Sequence, residues 1–300
     1  MDLERCRTLL FVAEIGNLST AAHQLDYTVS GISRMITAME KEIGFPLFFR
    51  SHHGVTPTPE CNLLLPSIRK FVFSGDHCLQ TAAKIQNLDI GTITIGTAYN
   101  SYWEPLSKIL SGFRSQYPNI LVQIKTGYST ELMERLLRHE IDLCFVSKRE
   151  GNCRWLPICE DPLVAWLPAH HPLTKEEGVP IQIFETEPYI DILPGIDSDN
   201  SRVFHQFQIQ PNTQFTVTDS TAAYSMAEAG LGITMNNAMN AMHLQGNVTI
   251  KPVLPHITAE IGAAYQDDTA PAIKNISEVS LCAYHPFLIK TTNSKRLRKP

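Results

Sequence analysis

The chain has 300 residues, 43% of them hydrophobic, and its formal net charge is −5 at pH 7, a composition that suits globular domains. This length exceeds that of one typical domain, so we expect two or three. No stretch is apolar for long enough to span a bilayer, and the charged N-terminus lacks the apolar core of a signal peptide. Seven cysteines without a C-x-x-C pair are typical of a reducing compartment. We therefore expect a cytoplasmic, multidomain protein without a cofactor or a metal site.

Residues 19–36 predict two short helices joined by a tight turn, an arrangement that can enter a DNA groove. Ser19 is expected to cap the first helix, which should run to Leu25, and Thr28 to cap the second. The residues expected to interlock are Ala21, Ala22, Leu25, Tyr27, Ile32, Met35 and Ile36. An ordinary helical hairpin would explain these apolar positions but not the small polar and basic side chains opposite them. The candidate DNA contacts are Ser19, Thr28, Val29, Ser30, Ser33, Arg34 and Thr37.

The segment after the second helix predicts a wing. Gly44 should end that helix in the left-handed conformation. Residues 51–55 should form a tight turn between two short extended pieces, and Thr58 should cap the next helix. Three further candidate DNA contacts follow from this geometry: Arg50, His52 and His53.

The charge of the first 60 residues qualifies this interpretation. Five basic residues stand against seven acidic ones, which leaves −2. A domain that relies on phosphate contacts is normally basic. We therefore expect one copy to bind DNA weakly and a dimer, which doubles the contacts, to be required.

Residues 58–88 predict one long helix with an apolar stripe, because hydrophobic side chains recur there at helical spacing. Pro66 and the pair Ser74-Gly75 are expected to bend or interrupt it. The stripe could pack either on the chain's own core or on a partner surface.

From Ile90 onward the pattern changes to strands that alternate with helices, which predicts parallel sheets covered on both faces. A first series is expected at 92–98, 105–117, 121–125, 129–139 and 141–146. A second is expected at 163–167, 189–193, 214–218, 221–229 and 232–235. A strand at 260–265 and a helix around 270–288 could return to the first lobe.

These pieces together resemble the LysR-type transcriptional regulator family. The family's motifs are matched by Leu9–Ala22, Ser30–Ile36, Met39–Arg50 and Pro57–Cys61, and further along by His171–Leu173 and Ala227–Ile233. Two departures fall in the second helix of the helix-turn-helix. Val29 replaces the usual Gln, which should alter base preference, and Gly31 should soften the helix by about 1 kcal/mol relative to Ala.

The resemblance implies an α/β multidomain fold with three parts. These are a winged helix-turn-helix DNA-binding domain at 1–58, a linker or dimerisation helix at 59–89, and a two-lobed, periplasmic-binding-protein-like effector domain at 90–300. Lobe I would cover about 90–161 and 267–300, and lobe II about 162–266. In the family, the linker helix pairs antiparallel with its twin.

An effector site is expected between the lobes, because ligands of open parallel sheets bind beyond the carboxyl ends of the strands. The expected effector is a small organic molecule that carries a carboxylate, since the amides that open the helix at Ser129 favour an anion. Alternatively, the Ser and Thr residues there only cap helices. The candidate effector contacts are Tyr99, Asn100, Ser101, Ser129, Thr130, Ser147, Pro194, Thr218, Ser220 and Thr234.

The sequence therefore predicts a sequence-specific, DNA-binding transcriptional regulator whose DNA contacts are modulated by that effector. Its expected partners are promoter or operator DNA, the effector and its own copies in a homodimer or homotetramer, with RNA polymerase as a further candidate and no membrane. Two alternatives remain open: a cytoplasmic small-solute-binding protein, and a redox-responsive regulator that uses Cys153 and Cys159. Catalysis is not expected, because no catalytic motif stands in a supporting context.

Overall fold

The computed structural model describes residues 1–51, 54–85, 90–98, 103–242 and 244–267. Three helices and a hairpin form the N-terminal domain. Its elements are α1 (Leu3–Ile15), α2 (Leu18–Gln24), α3 (Val29–Ile43), β1 (Phe48–Ser51) and β2 (Gly54–Pro57). The hairpin is antiparallel, as expected for a wing.

The crossing of α2 and α3 follows the sequence pattern closely. Ala22 and Ile32, expected to face each other, are both buried in one core with Ile36. Thr28 caps α3 as predicted, and its hydroxyl accepts a hydrogen bond from the amide of Gly31 at 3.0 Å. Gly44 ends α3 with φ 91°, the left-handed conformation that was expected.

Three details of this crossing differ from the prediction. Asn17, not Ser19, caps α2, because the Asn17 side chain accepts from the amide of Thr20 at 3.0 Å. The helix also ends at Gln24, one residue before the predicted Leu25. Tyr27 is 40% exposed rather than interlocked, since the chain turns at Asp26, whose φ is 56°, just before it.

The long helix α4 (Pro59–Ile85) is not interrupted at Pro66 or Gly75. Its first half packs on the N-terminal core through Leu65 and Ile68. Gly75 allows α1 to approach closely, because a Cβ added there would lie 2.6 Å from Cδ1 of Leu3. Among the described residues, none of the helices has both the length and the apolar character that crossing a membrane requires.

The remaining described chain is α/β. Its strands are β3 (Gly91–Thr97), β4 (Ile120–Thr126), β5 (Leu143–Ser147), β6 (Arg154–Pro168), β7 (Val179–Pro180), β8 (Tyr189–Ile192), β9 (Thr213–Val217), β10 (Thr234–Asn237), β11 (Val248–Leu254) and β12 (Thr258–Tyr265). Its α-helices are α5 (Trp103–Gln116), α6 (Ser129–Leu137), α7 (Asp199–Phe207) and α8 (Ser220–Glu228).

Two lobes share this region, and β6 and β12 run between them. The main sheet has the order β4-β3-β5-β12-β6-β11-β7, and β10 also pairs with β6. The pairs β4–β3, β3–β5 and β8–β9 are parallel, as predicted. However, β12 and β10 pair antiparallel with their neighbours, so the expectation of parallel sheets is wrong for them.

The last described strand belongs to lobe I. Residues 261–265 of β12 pair with β5, as expected for a segment that returns to the first lobe. The strand also pairs with β6 from Thr258 to Tyr265. The helix predicted around 270–288 lies outside the described residues.

Candidate functional site

The outward face of α3 carries most of the side chains predicted to touch DNA. Val29 opens the helix with 44% of its surface exposed. Ser30, Arg34 and Thr37 are exposed beyond it, whereas Ser33 is half-buried. Because the opposite face of α3 is sealed in the core, these side chains are held outward, as reading a DNA groove requires.

Two predicted contacts lie at the beginnings of helices. Thr28 is exposed, but its hydroxyl already caps α3 and lies 3.2 Å from the hydroxyl of Ser30. Ser19 is exposed in the first turn of α2, and its hydroxyl is not needed as a cap because Asn17 supplies one. The hydroxyl of Ser19 can therefore face a phosphate, whereas that of Thr28 mainly holds the start of α3.

Arg50 joins the wing to α3. Its guanidinium donates from Nη1 to Oγ of Ser33 at 3.0 Å and from Nη2 to Oγ1 of Thr37 at 3.2 Å. The Arg50 side chain is 44% exposed, and the nearest carboxylate contact, from Nη2 to Oε2 of Glu40, is long at 3.9 Å. Arg50 thus adds a positive charge to the face of α3 while fixing the wing against it. The other wing residues named from the sequence, His52 and His53, lie outside the described residues.

Some of the basic side chains of this domain form ion pairs within it, and others do not. Arg5, on α1, pairs with Asp2 at 3.1 Å and approaches Glu42, near the end of α3, at 3.9 Å. Arg34 and Lys41 have no ion-pair partner within the described ranges, and both are exposed on α3. The cations that remain available for phosphates therefore lie on the helix predicted to read DNA, although the domain as a whole is acidic.

A cleft of about 580 Å³ opens between the two lobes of the α/β region. Lobe I contributes the ends of β3 and β4 and the start of α6. Lobe II contributes the ends of β8 and β9 and the starts of α7 and α8. The hydroxyl and amide side chains that line it are Thr97, Thr126, Tyr128, Ser129, Ser198, Asn200, Thr218, Ser220, Thr221, Asn236, Asn237 and Asn240.

A buried ion pair joins the lobes at this cleft. Nη2 of Arg149, which follows β5 in lobe I, donates to Oδ1 of Asp199 in lobe II at 2.9 Å. The two side chains are 5% and 12% exposed. The Ser147 hydroxyl donates to the same carboxylate at 2.7 Å. It lies 3.1 Å from Oγ of Ser129, which must be the donor of that bond because the proton of Ser147 is already used.

A second, more exposed set of contacts runs beside this pair. Oγ1 of Thr130 donates to Oδ2 of Asp197 at 2.8 Å and accepts from Nε of Arg149 at 3.0 Å. Arg202 makes a two-pronged pair with Asp197. Hydrogen bonding from Arg202 and then Thr130 lowers the pKa of Asp197 to about 2, so this carboxylate is charged at any physiological pH.

Comparison with known families decides the identity. The model of bacterial regulatory helix-turn-helix proteins of the lysR family matches residues 3–62, and that of the LysR substrate binding domain matches residues 86–279. The chain belongs to the LysR family. It is a LysR-type transcriptional regulator with an effector-binding domain, and the family consists of regulators rather than enzymes.

Bacterial transcriptional regulators of similar length are relatives of this chain. YybE, an HTH-type transcriptional regulator of Bacillus subtilis (strain 168), is 24% identical over 269 residues, which cover 88% of this chain and 92% of YybE. AlsR, from the same organism, is 24% identical over 290 residues, which cover 94% and 96% of the two chains. The similarity therefore spans the DNA-binding and the effector-binding parts together.

Solved structures show the same fold. A full-length OxyR variant from Pseudomonas aeruginosa superposes with a TM-score of 0.70 at 19% identity, over 95% of this chain and 94% of that one. CbnR, in complex with its target DNA, superposes with a TM-score of 0.52 at 19% identity, over 95% and 100%. LysR-type regulators bind DNA, as CbnR does in that complex.

Within this LysR-type cleft, only part of the predicted effector set lines the cavity. Ser129, Thr218 and Ser220 do. Thr234 does not, because it is fully buried and its hydroxyl donates to the carbonyl of Ile190 at 2.8 Å. The remaining described residues, Thr130, Ser147 and Pro194, lie outside the lining, and Tyr99, Asn100 and Ser101 lie outside the described residues.

Sequence reasoning missed the asparagines and the ion pair. Asn236 donates from Nδ2 to the Ser220 hydroxyl at 2.9 Å and accepts from Asn240 at 2.6 Å. Asn237 is 6% exposed, and its Nδ2 has no hydrogen-bond partner among the described residues. These asparagines and Arg149 follow strands that were predicted, so the rule of strand ends could have found them. Asp199 does not follow a predicted strand, so that rule could not have identified it.

The charged groups of the lining are mostly acidic, and most of them are already paired. Among the described lining residues, one guanidinium, that of Arg149, stands against four carboxylates. Arg149 is already engaged by Asp199. The start of α8 is occupied as well, since Asp219 accepts from two of its amides at 2.9 and 3.0 Å. The four carboxylates are those of Glu131, Asp197, Asp199 and Asp219, of which the first three pair with Arg135, Arg202 and Arg149 respectively.

The geometry also removes the redox alternative. Cys153 directly precedes β6 and Cys159 lies within that strand, so their Cα atoms are separated by roughly 15 Å or more. A disulfide needs Cα atoms within about 7 Å. The two thiols also pack against different core clusters, and burial raises the pKa of Cys153, which makes it less reactive.

Proposed function

We propose that this chain controls transcription by holding operator DNA with α3 and the wing of paired copies, while a small molecule in the cleft between the lobes changes the spacing of those copies. The observation that carries this proposal is the outward face of α3, where Arg34 is exposed beside Arg50 of the wing. A ligand can act here only through different affinities for two lobe geometries.

In this proposal, residues 1–58 read DNA, 59–89 pair with a second copy, and 90–300 hold the effector. The assembly is a homodimer or a homotetramer. Exposed apolar side chains on α4 support the pairing: Leu63 is 83% exposed, Phe71 46% and Leu79 58%. Apolar side chains of this size on one helix are stabilised by a partner surface. Pairing also compensates for the weak phosphate attraction of an acidic domain.

The chain would act in the cytoplasm, where the operator lies. RNA polymerase is the further partner that we propose, because a regulator bound at a promoter lies beside it. Run-off transcription from a bound promoter, with and without the regulator, tests this step separately from DNA binding. Equal transcript levels at saturating regulator would remove the polymerase from the proposal.

A gel-shift titration on DNA upstream of the neighbouring gene tests the central claim. We expect retardation that weakens steeply between 50 and 200 mM salt, as counterion release requires. The variant Arg34→Ala should bind more weakly, whereas Lys175→Ala, which removes an exposed cation of lobe II, should bind like the parent chain. Failure of the parent chain to retard any upstream fragment would contradict the proposal.

A further inference from the structure

A carboxylate-binding pocket is built into the lobe I side of the cleft. Ser147 is 2% exposed and Ser129 7%, and the Arg149 side chain is 5% exposed. A hydroxyl and a guanidinium converge there near the N-terminus of α6, whose helix dipole adds positive potential. Such charge-assisted donors are the groups that bind carboxylates most strongly in proteins.

This pocket is filled by the chain itself. The Asp199 carboxylate reaches across from the first turn of α7 in lobe II and accepts from Ser147 at 2.7 and 2.8 Å and from Arg149 at 2.9 Å. The buried guanidinium of Arg149 therefore has its countercharge within the chain. A carboxylate brought by a ligand would have to displace Asp199 and leave that group unpaired, which is costly for a buried charge.

We infer that Asp199 is an internal ligand of this carboxylate pocket, and that the effector of this chain is an uncharged or cationic molecule. The inference rests on the proposed function in taking the cleft as the effector site. It names the chemical class of the effector and excludes simple carboxylates from the wild-type cleft.

The rest of the cleft fits that class. Asn237 lines the cavity, and its buried Nδ2 has no partner among the described residues, so a small rotation of the side chain would let it donate to a hydroxyl or carbonyl oxygen of a ligand. Asp219 adds a negative charge on the lobe II side. An oxygen acceptor on the ligand would satisfy Asn237, and a ligand without net negative charge would avoid the repulsion by Asp219 that an anion would meet.

Chemical rescue tests the internal ligand. In Asp199→Ser the pocket is emptied while a residue suited to the first turn of α7 is kept, so acetate should enter it. We expect the melting midpoint of the full-length variant to lie below that of the wild type. Sodium acetate should raise it by about 3 °C relative to sodium chloride at equal ionic strength. The wild-type midpoint should not respond to acetate.

Asp219→Ser is the matched control. It removes another carboxylate of the same cleft and keeps a good N-cap for α8, so it should show no response to acetate. Should Asp199→Ser fail to fold, Asp199→Ala empties the same pocket. Independently of any variant, calorimetric titration of the wild type with acetate and benzoate should show no binding.

The inference is overturned if acetate stabilises the wild type as much as it stabilises Asp199→Ser, or if it stabilises neither position-199 variant. Binding of benzoate in the wild-type cleft overturns it as well. All of these measurements are made without DNA. A failed gel shift would remove the regulator proposal and leave the acetate result standing, so the two failures are distinguishable.

Discussion

The buried pair between Arg149 and Asp199 should couple the stabilities of the two lobes. We consider Arg149→Met, which keeps the apolar stem and removes the guanidinium. At 2.9 Å and an effective dielectric of about 20, the attraction is roughly 6 kcal/mol, and the desolvation of both groups offsets much of it. Removing one partner leaves the other charge buried, so we expect the free energy of unfolding to fall by about 3 kcal/mol.

A double-mutant cycle isolates the pair. Arg149→Met, Asp199→Asn and the double variant are unfolded in urea, and tryptophan fluorescence follows the reaction. All three tryptophans lie beyond residue 90, so the signal reports on the effector-binding domain. The double variant should be more stable than the sum of the single losses predicts, by at least about 1 kcal/mol.

Arg202→Met serves as the control. Arg202 pairs with Asp197, but the two side chains are 46% and 41% exposed, so its loss should cost less than about 1 kcal/mol. If the single losses at Arg149 and Asp199 add within about 0.5 kcal/mol, the two side chains do not interact in solution, and the ion pair between the lobes is refuted.

Three further changes have definite expected results. Burial raises the pKa of Asp142 from 3.8 to about 6, so the free energy of unfolding falls as pH rises through that window. The variant Asp142→Asn should therefore stabilise the chain by up to roughly 3 kcal/mol at pH 8 and hardly at pH 3.5. Urea unfolding at both pH values measures this difference. Gly54→Ala should destabilise the wing by more than about 1 kcal/mol, because φ is 133° and a Cβ would lie 2.3 Å from the carbonyl oxygen of Gly16; thermal melting measures this. Arg50→Ala should reduce the salt slope of DNA binding by about 1, whereas Lys175→Ala should not change it.

A specific result would contradict each of these three predictions. A stabilisation by Asp142→Asn that is equal at both pH values would mean that the carboxylate is not desolvated. A Gly54→Ala chain with an unchanged melting midpoint would mean that the wing does not pack on Gly16. If Arg50→Ala leaves the slope unchanged, the guanidinium is used only to hold α3.

Much of the N-terminal domain could be predicted because its determinants are local. The cap at Thr28, the left-handed Gly44 and the small Ala22 opposite Ile32 each act over a few residues, and the structure has all three as predicted. The error at α2 is equally local: Asn17 and Ser19 are both good caps, and sequence alone did not choose between them.

The alternation of strands and helices was likewise readable, since apolar period and length separate the two. Pairing was not. The antiparallel return of β12 beside β5 joins segments more than a hundred residues apart, and no local pattern records the direction of such a contact. The sequence therefore indicated a strand that returns to lobe I but not its antiparallel pairing with β5.

The charge of the cleft is what only the tertiary structure decided. The sequence determined that hydroxyl-bearing residues such as Ser129 would lie at strand ends, and it correctly identified a regulator with a ligand cleft. It did not show that Asp199, fifty residues after Arg149, would fill the anion pocket. Electrostatic complementarity depends on distances across the fold rather than along the chain, so a preference inferred from one helix end could not include the charges that the opposite lobe brings to the cleft.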